Sequence, residues 1–147
     1  MDPQTLPADF DPVKLIKMMT NNGHNRLIGS HYHAHGKGWC ELALPYRPEL
    51  ASDAATGILA SGPIFTLMDM ATSLSIWLKT GTFQPQATLD LRIDYLRPAS
   101  PGNMVVGRGE CYKVSRSVAF VRGQAHDGDP ERPIAHVAGT YFFTASA

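Results

Sequence analysis

The segment SGPIFTLMDMATSLSIWLK, residues 61–79, restricts the folds open to this chain more than any other. It opens with Ser-Gly-Pro, which is helix-start chemistry, and reads as a helix from about Pro63 to Lys79 that Gly81 closes. Ile64, Leu67, Met68, Ala71, Leu74 and Leu78 occupy much of its circumference. A helix apolar over most of its surface must be buried on most sides. The rest of the chain therefore has to supply a wall around it.

That wall reads as strands. In ATLDLRIDYLRP, positions 87, 89, 91, 93 and 95 are apolar or aromatic, and Thr88, Asp90, Arg92 and Asp94 lie between them. A strict period of two marks a strand with one buried face. Further strand-like runs occupy 103–114, 117–126 and 132–143, and RPASPGN, SR and DGDPE supply the turns between them. Two weaker runs, 26–34 and 37–45, meet at Gly36, and residues 46–60 form a connection. Near the N-terminus, Asp11-Pro12 reads as an N-cap and first helical residue. Val13, Leu15, Ile16, Met18 and Met19 continue it as an apolar stripe, and Asn21-Asn22-Gly23 ends it. This gives a short helix over 11–22 behind an arm at 1–10. Strands that follow one another directly pair antiparallel. A helix of ~17 residues spans about 25 Å, the width of several strands. The predicted fold class is α+β: a curved antiparallel sheet of about six strands wrapped around one long central helix.

The 147 residues suit a single domain over 1–147. With 44% apolar and 18% charged residues the chain is expected to be globular rather than disordered. Net charge is zero and no basic run occurs, which argues against nucleic acid or an anionic membrane as partner. No apolar segment is long enough for a membrane span. The start, MDPQTLPADFDP, is acidic and proline-rich, unlike a signal peptide. Cys40 and Cys111, without a CxxC spacing, read as two free thiols in a reducing compartment, so a cytoplasmic location is expected.

One residue does not fit a structural helix. Asp69 shares a face with Phe65, Thr72, Ser73 and Ile76, and the first cation on the helix is Lys79. A buried carboxylate without partners costs several kcal/mol or takes up a proton. Either Asp69 touches water or a neighbouring loop, or it points into a pocket as a base or nucleophile. The helix start bears on that choice. The first amides of a helix have no internal partner, and with the helix dipole they can face a developing oxyanion. Ser61 and Gly62 each keep an N–H, whereas Pro63 has none. Ser61 also reads as the N-cap, a role compatible with backbone donation. No GxSxG occurs, which argues against a Ser-His-Asp triad.

The order GILASGPIFTLMDMA, ATLDLRIDYLRPASPG, AHVAGTYFF resembles the hotdog-fold acyl-CoA thioesterases of the phenylacetate-pathway, PaaI-like type, over residues 24–143. The resemblance implies a hotdog fold and hydrolysis of the thioester of a small or medium acyl- or aryl-CoA. Asp69 falls on the helix Asp that serves as general base or nucleophile. Ser61 and Gly62 fall on two glycines, the first of which lends its N–H to the thioester carbonyl. Thr88 falls on a strand Ser/Thr that places water, reached from the partner subunit. Gly57 matches an upstream loop glycine, and Ala60 and Phe65 line the substrate side. Arg116, in the turn Ser115-Arg116-Ser117, is the candidate contact for the phosphates of coenzyme A. No cofactor or metal is implied. The implied assembly is a homodimer, paired further into a dimer of dimers.

Two positions depart from the family pattern. Ala60 stands where a histidine is usual, and Ala54 where a loop Asn or Gln is usual. They keep open an alternative, a catalytically weak hotdog protein that binds an acyl ligand or a partner. Ala60 also argues against a hydratase, which would pair a histidine with a carboxylate. His31, His33 and His35 are expected on one strand face, but their ~7 Å spacing suits a metal ion poorly.

Overall fold

The computed structural model describes residues 11–144, so the predicted arm at 1–10 lies outside the described residues. Asp11 caps helix α1 (Pro12–Thr20) as its side chain suggests, accepting hydrogen bonds from the amides of Val13 at 3.0 Å and Lys14 at 3.1 Å. Leu15 and Ile16 bury its apolar stripe. Asn21 then ends α1, but the chain turns at once into a second helix, α2 (Gly23–Ile28), which Gly29 closes in the left-handed region at φ 81°. The predicted strand over 26–34 is thus corrected in its first half. Strand β1 (His31–Gly36) starts only after Gly29, and β2 (Trp39–Leu44) follows through a tight turn.

After a single 3-10 turn at Pro48–Leu50 comes the central helix α3 (Ser61–Thr80), two residues longer at its start than the sequence suggests. Ala60, not Ser61, is its N-cap, and Ser61 is the first helical residue. The reason lies in the connection: Ala60 donates its amide to the Leu50 carbonyl at 2.9 Å, and Ala51 bridges to Leu59. The backbone is therefore fixed one residue earlier. Strands β3 (Gln86–Tyr95), β4 (Val105–Val114), β5 (Val118–His126) and β6 (Ala135–Phe143) complete one six-stranded antiparallel sheet of order β1-β2-β4-β5-β6-β3.

Helix α3 lies across β2, β4 and β5. Leu42, Leu44, Leu67, Met68, Leu74 and Val105 are sealed between helix and sheet. The contact on β4 is made by glycine. A Cβ on Gly109 would stand 2.5 Å from backbone atoms of Ala71 and Thr72, and one on Gly107 would stand 2.7 Å from the Met68 sulfur. A side chain at Gly109 would press on helix backbone and lift α3 from the sheet, and one at Gly107 would displace the side chains of Met68 and Leu67.

Two bulges depart from simple alternation. In β3, Thr88 faces Tyr141 and Asp90 faces Thr140, which leaves Leu89 as an extra residue. Leu89 is accordingly 62% exposed. Strict alternation would put Leu89 inside and Thr88 outside. The bulge instead places Thr88 on the face shared by Leu91 and Ile93, because Thr88, Leu91 and Ile93 oppose Tyr141, Gly139 and Val137. In β1, His33 is the extra residue. His31 then opposes Ala43 while His35 opposes Cys40, so these two histidines fall on opposite faces rather than on one.

Candidate active site

Burial around α3 is uneven. Leu67, Met68, Ala71, Thr72 and Leu74 are closed off, whereas Phe65 is exposed and Asp69, Met70 and Ser73 are half-buried. The open side is thus a strip with Phe65, Asp69 and Ser73 at helical spacing. Two hydroxyls hold the carboxylate. Thr88 Oγ1 donates to Asp69 Oδ1 at 2.9 Å, and the Tyr141 hydroxyl reaches the same oxygen at 2.8 Å. That hydroxyl also lies 2.8 Å from the Asp69 carbonyl and 2.9 Å from Thr72 Oγ1. Burial, and next the charge of Asp69, raise the Tyr141 phenol above its ordinary range, so it stays a donor at neutral pH. Among the described residues no protein group bonds Asp69 Oδ2. One turn on, the Gln86 amide nitrogen donates to the Ser73 carbonyl at 2.7 Å and to Ser73 Oγ at 2.9 Å.

The start of α3 presents two free donors. The Ala60 amide is used by Leu50 and Pro63 has none, so Ser61 and Gly62 carry the amides without an intrahelical acceptor. Both residues are exposed, and a Cβ on Gly62 would meet nothing within 4 Å. The surrounding loop is held by tyrosines. Tyr46 donates its hydroxyl to the Gly57 carbonyl at 3.0 Å, and Tyr95 donates to the Ser61 carbonyl at 3.1 Å. Gly57 adopts φ 66°, a conformation that favours glycine, so the predicted loop glycine has a backbone reason to be there. Ile58, Leu59, Ser61, Ile64, Tyr95 and Pro98 line an open groove of about 330 Å³ beside these amides.

The predicted residues thus fall into two groups on one helix and a third place far away. Ser61, Gly62, Gly57 and Ala60 meet at the start of α3. Asp69 and Thr88 meet at its middle, with Phe65 one turn before Asp69. Thr88 reaches Asp69 within one chain, which corrects the expectation that it comes from a partner. Ser61 and Asp69 are eight residues apart, about 12 Å along the axis. Arg116 joins neither group. Strand β4 passes Met68 at Gly107 and Ala71 at Gly109, so its hairpin with β5 lies beyond the C-terminal half of α3. Arg97, which also lines the groove at the start of α3, is bound to Asp127. Sequence reasoning missed Tyr141. The signal was the alternation of AHVAGTYFF, which puts Val137, Gly139 and Tyr141 on the inner face.

Comparisons with known proteins agree with this architecture. Residues 56–134 match the family model described as Thioesterase superfamily. The chain is 28% identical to the medium/long-chain acyl-CoA thioesterase YigI of Salmonella typhimurium, over 80% of this chain and 83% of that protein. A crystal structure of a Pseudomonas aeruginosa protein superposes with a TM-score of 0.81 at 34% identity, covering 90% of this chain and 98% of the other. The E. coli PaaI protein from the phenylacetic acid degradation operon shares the fold, with a TM-score of 0.76 at 13% identity over 88% of this chain and 90% of its own.

Proposed function

The chain belongs to the thioesterase superfamily, hydrolases that act on thioesters, and from that premise we propose that it cleaves acyl-CoA, with Asp69 as general base or nucleophile. A medium-length acyl chain is the overlap between the expectation from sequence and the substrate named for YigI. The observation that carries the proposal is a half-buried carboxylate clamped by Thr88 and Tyr141, on a helix whose first two amides are free.

The reaction follows from these parts. The thioester carbonyl oxygen accepts from the Ser61 amide, with Gly62 beside it, and the helix dipole favours the charge that develops there. Asp69 takes a proton from water as that water attacks the carbonyl carbon, or attacks directly to form an anhydride that water then opens. The tetrahedral adduct collapses, the C–S bond breaks, and the coenzyme A thiolate leaves and is protonated. In the water route the proton comes from Asp69. Thr88, bonded to the carboxylate, orients it and the water beside it.

One chain cannot perform this alone. An amide and a carboxylate about 12 Å apart cannot both touch a single carbonyl group. The amide of one copy must meet the carboxylate of another. Strand β3 is the edge strand next to Asp69, ten residues long, with Leu89 and Tyr95 exposed. Pairing of two copies along β3 joins the sheets and brings the helices together. A dimer of dimers is the proposed larger assembly, and the cytoplasm the proposed compartment. Arg116 stands in the turn past the end of β4, about 23 Å along that strand from the level of Met68, and its proposed contact with coenzyme A phosphates is to another copy's site.

Ala54 and Ala60 offer no side-chain donor, which favours the alternative of a weak enzyme that binds acyl ligands. Incubation with a panel of acyl-CoAs, followed by free thiol release, separates the two. The parent is expected to turn over a medium-chain substrate, and Asp69→Asn to lose about 100-fold in kcat. Turnover that survives the substitution rejects the role of Asp69. Tight binding without thiol release favours the alternative.

A further inference from the structure

We infer that Tyr141 is a positioning residue: together with Thr88 it occupies Oδ1 of Asp69, so that Oδ2 is the oxygen turned to the thioester. The part of this that concerns turnover rests on the thioesterase reading above. The hydrogen bond itself does not.

Tyr141 is 2% exposed, at an inner strand position where Phe would pack equally well. A buried hydroxyl is costly unless it is bonded, and this one has three oxygen neighbours within 2.9 Å. It carries one proton. Of the three acceptors, Oδ1 alone bears formal charge, and a charge-assisted bond is roughly twice as strong as a neutral one. The proton therefore goes to Oδ1. Thr72 Oγ1 lies 2.9 Å from the phenol oxygen and 2.8 Å from the Met68 carbonyl; when its one proton turns to the phenol, Thr72, Tyr141 and Asp69 form a chain in which each bond polarises the next. Thr72 is itself fully buried on α3.

The second donor, Thr88, arrives at the same oxygen only because of the bulge at Leu89. Two donors from β3 and β6 thus fix the rotation of the carboxylate from one side. Oδ2 has no protein donor among the described residues, and the strip that carries Asp69 is the half-open side of α3. A carboxylate locked through one oxygen spends none of its binding on choosing an orientation at the moment of reaction.

The test uses two readouts on the full chain. In steady-state hydrolysis of the best acyl-CoA, Tyr141→Phe is expected to lower kcat about 10- to 100-fold while KM changes less than about 2-fold. Separately, the protein labelled with 13C at tyrosine Cζ is compared with its Asp69→Asn and Thr72→Val variants. The Tyr141 resonance is expected to move in both, and those of Tyr32, Tyr46, Tyr95 and Tyr112 to stay in place. An active parent whose kcat is unchanged by Tyr141→Phe overturns the positioning role and leaves the thioesterase reading standing. A Tyr141 resonance indifferent to Asp69→Asn overturns the hydrogen bond whatever the activity, and needs no folded Phe variant. A parent inactive on every thioester sinks the thioesterase reading and the assignment of Oδ2 with it, while the spectrum still decides whether Tyr141 holds Asp69.

Discussion

Two inactive variants should restore one another when mixed. The first is Ser61→Pro. Ala60 sits at φ −64° and ψ 154°, the backbone region that a residue before proline prefers. Ser61 is the first helical residue, where proline is favoured, and its amide has no intrahelical partner to lose. The substitution therefore removes one N–H and little else. Loss of an oxyanion donor costs about 100- to 1,000-fold in kcat. The second variant is Asp69→Asn, expected to lose about 100-fold. If the site takes its amide from one copy and its carboxylate from the other, a mixed dimer has one doubly damaged site and one intact site. Random pairing makes about half of the dimers mixed, so about one quarter of all sites are intact. The assay is thiol release after the two proteins are unfolded together and refolded at equal concentrations, with each refolded alone as control. Expected activity is about a quarter of the parent, against ~1% for either control. Activity no higher than the mean of the controls would refute the 12 Å argument and require both groups to act from one chain.

Other outcomes follow from the fold itself. Gly109→Ala sets a methyl against the backbone of α3 at Ala71 and Thr72, so no rotamer change relieves it; a loss of about 3 kcal/mol and a fall in Tm of roughly 10 °C are expected by calorimetry. Gly62→Ala, which projects into open space, should stay within about 0.5 kcal/mol in the same measurement. Asp127 accepts from Arg97 and from the Ser100 amide, and the Arg97 guanidinium is the main cause that holds its carboxyl well below the usual carboxylate range. A folded-state pKa below the unfolded one gives stability that is complete above about pH 5 and lost as pH falls. The gap in Tm between the parent and Asp127→Asn should therefore be widest at neutral pH and close progressively below about pH 4. A gap that does not change with pH would mean that charge is not its source.

Much of this architecture was readable from residue order. Helix α3 announced itself by its apolar circumference, β3 by its alternation, and β4, β5 and β6 as runs between turn residues. Helix α2 was not readable: in GHNRLI a short apolar pair fits strand or helix equally, and Gly29 decides by turning the chain. The N-cap of α3 was misplaced because serine is the better capping side chain, whereas a backbone bond from Ala60 to Leu50 fixed the geometry. The site was legible in part. Asp69 stood out as a charge on an apolar helix, and Ser61 and Gly62 as amides before a proline. Thr88 was legible only through family resemblance, since alternation alone turns it outward. Tyr141 was hidden in a run that reads as packing, and its role depends on a partner seventy-two positions away.

Leu89 gives the site something that no side chain supplies. Its side chain points away from Asp69, so exchanging it for another residue would leave the bond from Thr88 to the carboxylate in place. How the ladder skips it is another matter. Were Leu89 drawn into the pairing as an ordinary strand residue, the segment before it would slip by one position and carry the threonine hydroxyl to the outer face, with every amino acid of the site still present. The hold on Asp69 thus depends on an integer as well as on chemistry, and a roll of side chains, however complete, never displays that integer.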